Sequence, residues 1–300
     1  MRAATVSSFG GPEAVDVVEL PVPEPGPGQA RVKVAAAALN PVDAAMRAGA
    51  FGGDGEWIGL GWDVAGTVDA VGDGAEALWS AGDRVIGLAT GHHRPLGTHA
   101  EYAVLDAEAL APAPTELDDV QAATLPLNTL SALQALGLLG LRAGQSLLVT
   151  GAAGGVGTHT VELARLHGLR VTALASPGDE EFLASRGADR FLPRTSAPEP
   201  AAFDGVLDAA VLGDDALAAV ADDGAYVGVW PGQEPGAERG IRVAALDVRA
   251  DGAQLNELAR LADQGVLLPR VARTYPLGEA AAAHAHLAAP GVRGRLVLVP

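Results

Sequence analysis

The sequence predicts an α/β protein in two parts, a small antiparallel β-barrel and a doubly wound parallel sheet. Three observations predict it. The first third is a series of short runs rich in β-branched residues, cut by Gly/Pro turns such as Gly10-Gly11-Pro12. From about Leu117, helical periodicity alternates with short continuous apolar runs, the βαβ pattern of a parallel sheet. A glycine-rich segment stands where one of those apolar runs passes into a helix.

In chain order, residues 3–7, 15–20, 30–36, 66–71, 84–88 and 100–104 read as barrel strands. The run Pro23-Glu24-Pro25-Gly26-Pro27-Gly28 reads as a rigid turn between two of them. Residues 118–127 and 131–138 read as helices. Ser146-Leu147-Leu148-Val149-Thr150 has the composition of a strand buried on both faces. A helix over residues 155–167 follows, with Val156, Thr160, Leu163, Ala164 and His167 on one side. Next come strand 170–175, helix 179–186, strand 206–209, helix 216–221, strands 225–229 and 241–248, and helix 252–264. The tail reads as strand, helix 278–288 and strand 295–299, and is expected to return to the first part. This gives a barrel domain of residues 1–118, completed by 270–300, and a sheet domain of residues 119–269.

Composition removes several function classes. A net charge of −17 argues against a nucleic-acid partner. The absence of cysteine excludes disulfides, thiolate nucleophiles and Cys-built zinc sites. Lys33 is the one lysine, and it follows Val32 rather than a glycine, so there is no P-loop. Its alternating surroundings place it facing solvent. The first residues reach Pro12, Glu13 and Asp16 without an apolar signal stretch, and no uninterrupted apolar run is long enough for a bilayer. The expectation is a cytoplasmic protein without a membrane partner.

The central motif is Thr150-Gly151-Ala152-Ala153-Gly154-Gly155-Val156-Gly157. Glycines let backbone N–H groups approach a pyrophosphate, and the helix N-terminus adds partial positive charge. Gly151, Ala152, Ala153, Gly154, Gly155, Val156 and Gly157 are therefore candidate cofactor-binding residues. NAD enzymes usually place a carboxylate at the tip of the next strand, to bind the ribose hydroxyls. Here that strand ends Ala173-Leu174-Ala175-Ser176, and a serine hydroxyl can donate to a 2′-phosphate. Asp179, Glu180 and Glu181 oppose that reading, although they also suit the start of the following helix. Arg194, on a later loop, is the candidate cation. On balance NADP is favoured. Val229, at the end of strand 225–229, completes the candidate set on this domain.

The ordered segments carry a resemblance. Ala37-Ala38-Leu39-Asn40-Pro41-Val42-Asp43, Gly61-Trp62-Asp63-Val64-Ala65-Gly66-Thr67-Val68, Gly82-Asp83-Arg84-Val85, Gly97-Thr98-His99-Ala100-Glu101-Tyr102, Gly187-Ala188-Asp189 and Gly294-Arg295-Leu296-Val297-Leu298 follow one another in family order. Together they make the chain resemble the zinc-free medium-chain dehydrogenase/reductases, in the quinone oxidoreductase (zeta-crystallin-like) branch. The resemblance implies a GroES-like catalytic domain, a Rossmann domain, and NADPH with its nicotinamide in the cleft between them. It implies hydride transfer to a quinone or an α,β-unsaturated ketone. Asn40 aligns with a residue that contacts the nicotinamide ribose or carboxamide, and Thr129 and Ser131 with the segment beside the nicotinamide.

Departures from relatives sharpen the reading. Zinc alcohol dehydrogenases carry cysteine where this chain has Asn40, and Gly-His-Glu where it has Gly61-Trp62-Asp63, so the usual zinc ligands are gone. His92-His93 and His284-x-His286 do not share a helix face, and no metal is expected. Enoyl reductases of this branch often carry a tyrosine after the Arg-x-Gly that follows the Asn-Pro segment; here Phe51 stands there. Asn40, His92, His93 and water are the candidates for a donor to the substrate carbonyl. Asp43 and Asp63 are expected to hold barrel loops together. A short-chain reductase would need Tyr-x-x-x-Lys, but Tyr102, Tyr226 and Tyr275 are followed by Asp106, Trp230 and Glu279. The expected activity is NADPH-dependent reduction of a quinone or enone. The alternatives are a specialised biosynthetic enoyl or ketone reductase, or a catalytically weak NADPH-binding protein. A homodimer is expected through an edge strand at Val243-Ala244-Ala245-Leu246-Asp247-Val248.

Overall fold

The computed structural model describes residues 1–52, 57–92 and 94–300. The first elements are β1 (Arg2–Val6), β2 (Val15–Glu19), β3 (Gln29–Ala38), α1 (Pro41–Arg47), β4 (Ile58–Gly59), β5 (Asp63–Val71), β6 (Arg84–Leu88), β7 (Tyr102–Asp106), β8 (Leu110–Pro112) and α2 (Asp119–Ala122). The middle runs α3 (Pro126–Leu139), β9 (Ser146–Thr150), α4 (Gly155–Leu166), β10 (Arg170–Ala175), α5 (Glu180–Arg186), β11 (Arg190–Pro193), β12 (Phe203–Asp208), α6 (Asp214–Leu217), β13 (Val220–Gly228) and β14 (Arg242–Ala245). The chain closes with α7 (Gly252–Asp263), β15 (Val271–Pro276), α8 (Ala280–Ala288) and β16 (Arg295–Val299).

Two compact units result: Met1–Leu127 with Arg249–Pro300, and Asn128–Val248. The boundaries differ from the expected 1–118 and 119–269 because α2 and α7 join the barrel unit. Packing explains the place of α7. A side chain at Gly252 would stand 2.2 Å from the Leu110 carbonyl oxygen, so the helix start lies directly against β8.

The barrel unit is organised around β3. Ala30, Val32, Val34 and Ala36 are buried along one face, while Lys33 on the other is exposed. β3 pairs antiparallel with β5, β7 and β16, and the larger sheet runs β15-β16-β3-β5-β6-β8 with β7 on β3. The smaller sheet is β2-β1-β4. The tail thus completes this unit, with Val297 opposite Ala38 and Leu298 opposite Ala37.

Sequence reading missed α1. Its start signal is nevertheless present: Asn40 at the cap, Pro41 in the first turn and Asp43 three residues on, accepting from the Asn40 backbone N–H at 2.8 Å. The far end of α1 meets α8, where the Arg47 Nη1 lies 3.2 Å from the Nδ1 of His284, which is fully buried.

The second unit is a six-stranded sheet in the order β11-β10-β9-β12-β13-β14. Every pairing is parallel, which is the doubly wound order of a Rossmann fold with its switch point between β9 and β12. Helix α6 is shorter and earlier than the expected 216–221, because Val220 is drawn into the sheet opposite Phe203. Strand β14 covers only part of the expected 241–248. On α4 the buried face runs from Gly157 to Ala164, and His167 is exposed. That face includes Glu162, which accepts from Arg186 Nη1 and pairs with His159 Nδ1, both at 2.8 Å. Asp119–Leu139 is long and apolar enough to cross a bilayer by length and composition, yet 78% of its most apolar 18-residue stretch is buried within the protein, as in a core helix.

Two tests follow from this packing. A methyl at Gly157 would stand 2.4 Å from the Gly151 carbonyl oxygen and 2.7 Å from the Ala152 Cα, whereas at Gly154 the nearest atom is the Gly151 oxygen at 3.1 Å. Gly157→Ala is therefore expected to lower stability by about 1–3 kcal/mol, and Gly154→Ala by less, read as urea midpoints. The second concerns His284, whose pKa is pushed down to about 3 by burial and then by neighbouring His99 and Arg47. An unfolded histidine titrates near 6.5, so between these values the unfolded chain binds the extra proton and stability falls as pH falls. His284→Gln should flatten the unfolding free energy between about pH 6.5 and 4 relative to the native protein. An unchanged slope would remove His284 from the acid response.

Candidate active site

The cofactor elements lie at the carboxyl ends of the parallel strands. After β9 the chain turns at Gly151 in the left-handed region (φ +58), where a Cβ would meet Ala209 and Ala210 backbone at 3.2 Å. Gly154 caps α4 and is exposed, and Thr158 Oγ1 donates to the Ala152 carbonyl at 3.1 Å. The first turn of α4 therefore begins with backbone N–H groups reached across glycine, as a pyrophosphate needs.

A buried carboxylate missed by sequence reading anchors this corner. Asp208 is fully buried at the end of β12. It accepts from Thr150 Oγ1 at 2.5 Å, from the Tyr226 hydroxyl at 2.8 Å and from the Gly213 N–H at 2.9 Å. Thr150 Oγ1 in turn accepts from the Ala210 N–H at 3.0 Å. Burial, then the hydrogen bond to Asp208 and its charge, push the Tyr226 phenol well above its ordinary range, so it remains a donor. The network holds the loop after β12 with Val211 at φ +56, a strained position for a β-branched residue. The available signal was a carboxylate ending the apolar run Val206-Leu207-Asp208, which demands buried donors. The expected site residue Val229 follows β13, and its N–H donates to the Asp208 carbonyl at 3.4 Å.

Ser176 and Arg194 are brought together by strand register. Ala175 of β10 is opposite Pro193 of β11, and the Arg194 N–H donates to the Ala175 carbonyl at 2.7 Å. The two residues thus follow adjacent strand ends. The Ser176 hydroxyl makes no capping bond, and Arg194 is exposed. A hydroxyl donor and a cation that follow adjacent strand ends are groups a phosphate can use. Thr129 and Ser131 are buried on α3.

In the barrel unit Asn40 is fully buried and fully engaged. Its Nδ2 donates to Asp63 at 2.9 Å and to the Ala38 carbonyl at 3.3 Å, while its Oδ1 accepts from Arg295. Both amide hydrogens are engaged within the protein, which makes Asn40 a member of the supporting network. Asp43 accepts from the Gly61 N–H at 2.9 Å and Asp63 from the Leu127 N–H at 2.6 Å, so each ties separate loops together. Burial pushes the Asp63 carboxyl up to about 7, against the pull of Arg295 and the bonds from Asn40 and Leu127. The Arg295 guanidinium is lowered by burial and supported by Asp63 and Asp43.

His92 stands between two aromatic rings. It stacks on Phe51 at 3.9 Å between ring centres and lies tilted against Trp62 at 5.5 Å. Trp62 Nε1 donates to the Met46 sulfur at 3.1 Å. Arg94 Nη2 donates to the Gly61 carbonyl at 2.9 Å, which pins the loop that carries His92. His93 lies outside the described residues. His284 and His286 do not converge: the first faces Arg47 and the second Tyr275, whose hydroxyl is 2.7 Å from its Nδ1. Among the described residues, no group of three or more His, Cys, Asp or Glu could hold a metal ion. Zinc does not fit this donor set, because Asn40 presents a spent amide and Trp62 an indole.

Comparison with known proteins agrees with this architecture. Residues 26–115 match the alcohol dehydrogenase GroES-like domain, and residues 178–298 match the family described as zinc-binding dehydrogenase. The chain is 33% identical over its whole length to an NADPH-dependent alkenal/one oxidoreductase, chloroplastic, of Arabidopsis thaliana, covering 80% of that protein. It is 35% identical over 88% of its length to the spectinabilin polyketide synthase system protein NorB of Streptomyces orinoci, and spans only 13% of that protein. Its fold superposes on the quinone oxidoreductase from Coxiella burnetii with a TM-score of 0.88 and 29% identity, covering 100% of this chain and 99% of the other. A GroES-like barrel unit, a Rossmann sheet and full-length relatives at this identity place the chain in the medium-chain dehydrogenase/reductase superfamily, in its zinc-free quinone oxidoreductase branch.

Proposed function

We propose that the protein is a cytoplasmic, zinc-independent, NADPH-dependent reductase of quinones or α,β-unsaturated carbonyl compounds. The observation that carries the reading is that Ser176 and Arg194 follow adjacent strand ends of the parallel sheet that carries the glycine loop at its switch point. The names of relatives supply the substrate class, an alkenal or enone in one and a quinone in another.

The residues divide the work. Bound NADPH supplies the hydride, so the protein orients and stabilises rather than forming covalent bonds. Backbone N–H groups of the Gly151–Gly157 segment and the start of α4 take the pyrophosphate. Ser176 and Arg194 take the 2′-phosphate, and Asp208 fixes the loop opposite Gly151. Thr129, Ser131 and Val229 line the nicotinamide side. With Asn40 spent, His92 is the described side chain assigned to the developing oxyanion, its ring plane set by Phe51 and Trp62.

A second reading of the substrate rests on the polyketide synthase relative: the enone is an enoyl group on a biosynthetic intermediate. We also propose a homodimer formed through β14. It lies at the sheet edge, and an unpaired edge favours pairing with a second copy. Sedimentation at micromolar concentration should give a dimer; a monomer there would contradict the edge assignment.

The activity is tested by kcat/KM for NADPH and NADH with a simple quinone and a simple enone. NADPH should be preferred, and activity should survive chelators. Ser176→Ala and Arg194→Ala should each cut NADPH use about ten- to hundredfold, the worth of a hydrogen bond to a charged group, with NADH use nearly unchanged. Gly154→Val should abolish cofactor binding in a folded protein. Equal use of NADH would refute the Ser176–Arg194 corner, and inertness toward both acceptors would favour the biosynthetic substrate.

A further inference from the structure

Two buried histidines in the barrel unit have defined tautomers and one unused nitrogen each. His99 Nε2 lies 3.2 Å from the Ala38 carbonyl. A carbonyl can only accept, so Nε2 carries the hydrogen and Nδ1 is a bare acceptor. That Nδ1 is buried and has no hydrogen-bond partner among the described residues. His284 Nδ1 lies 3.2 Å from Arg47 Nη1. A guanidinium can only donate, so here Nδ1 is bare and Nε2 carries the hydrogen. That Nε2 is likewise buried and without a partner among the described residues. The residues are 1% and 0% exposed.

The unused groups are complementary, one donor and one acceptor. The rings meet edge to face, with centres 6.2 Å apart and planes at 74°. No direct hydrogen bond joins them, so each nitrogen needs a partner, and a donor and an acceptor on neighbouring rings can share one small molecule that both accepts and donates. We infer that His99 and His284 enclose a binding site for a single water, which accepts from His284 Nε2 and donates to His99 Nδ1.

The site has a consequence for the supporting network. His99 holds Ala38, the last residue of β3, and His284 holds Arg47, the last residue of α1. The segment between them carries Asn40 and Asp43. A water joining the two histidines clamps both ends of that segment through groups that share no direct hydrogen bond. Leaving both nitrogens unpaired would instead carry the full desolvation cost of two buried polar groups. A metal ion in the same place would need a bare nitrogen from each ring, and the Arg47 contact denies one.

The test is a high-resolution crystal structure of the native protein, paired with NMR of the imidazole nitrogens. One density peak within hydrogen-bond distance of both His99 Nδ1 and His284 Nε2 is expected. Both rings should be in the Nε2–H form, and a water cross-peak should appear to the His284 Nε2–H. Empty space between the rings, a direct imidazole–imidazole bond, an anomalous metal peak or an Nδ1–H tautomer on either ring would overturn the inference. A double-mutant cycle with His99→Phe and His284→Leu gives an independent reading. A shared water couples the two changes by at least about twofold in the folding equilibrium constant, whereas additive effects count against it.

Discussion

The barrel unit depends on a carboxylate and a guanidinium removed from water together. Asp63 is fully buried, and the Arg295 guanidinium beside it is held below its ordinary pKa by burial. Isolated, either charge would cost several kcal/mol to bury. Together they are tolerable because each is hydrogen-bonded: Asp63 by Asn40 and Leu127, Arg295 by the Leu39 carbonyl and Asn40 Oδ1. The arrangement ties β5, the start of α1 and the C-terminal β16, three pieces far apart in sequence. Removing either partner would leave an uncompensated charge, which is why the tail belongs to this unit rather than trailing from it.

The sheet unit repeats the logic with a lone carboxylate. Among the described residues no cation is at bonding distance of Asp208, and three donors from β9, β13 and the following loop satisfy it. Because two of those donors sit on strands flanking β12, the carboxylate reads the register of the sheet. Its third bond, to Gly213, closes the turn that holds Val211 in a left-handed conformation. The loop fixed this way runs its Ala209–Ala210 backbone close against Gly151, where a Cβ would stand 3.2 Å from it.

The same packing bears on zinc, since residues 178–298 match a family described as zinc-binding dehydrogenase while the expected ligand positions lie in the barrel unit. The acid that follows Trp62 is retained and saturated, but the neighbouring positions offer an amide with both hydrogens donated and an indole bonded to Met46. Neither is a zinc ligand. What remains suits chemistry in which a nicotinamide does the work and the protein supplies position and electrostatics.

Much of this was legible in the chain. β6, β9 and β10 coincide with the expected strands because short apolar runs bounded by Gly or Asp turns leave few alternatives. The glycine loop between a strand and a helix and the lack of Cys and His at the usual zinc positions were equally local, each readable from residue type and spacing alone. Other features were long-range. Helix α6 gave way to β13 because pairing with Phe203 outweighed weak helical propensity. Arg194 could be named from sequence, but only the pairing of Ala175 with Pro193 put it beside Ser176. Asn40 could be aligned with a cofactor contact, yet only packing against Asp63 and Arg295 showed that its hydrogens were spent. The division has one physical cause. Backbone preference and apolar patterning act between neighbours in sequence, whereas a buried polar atom is defined by partners that folding brings from elsewhere in the chain.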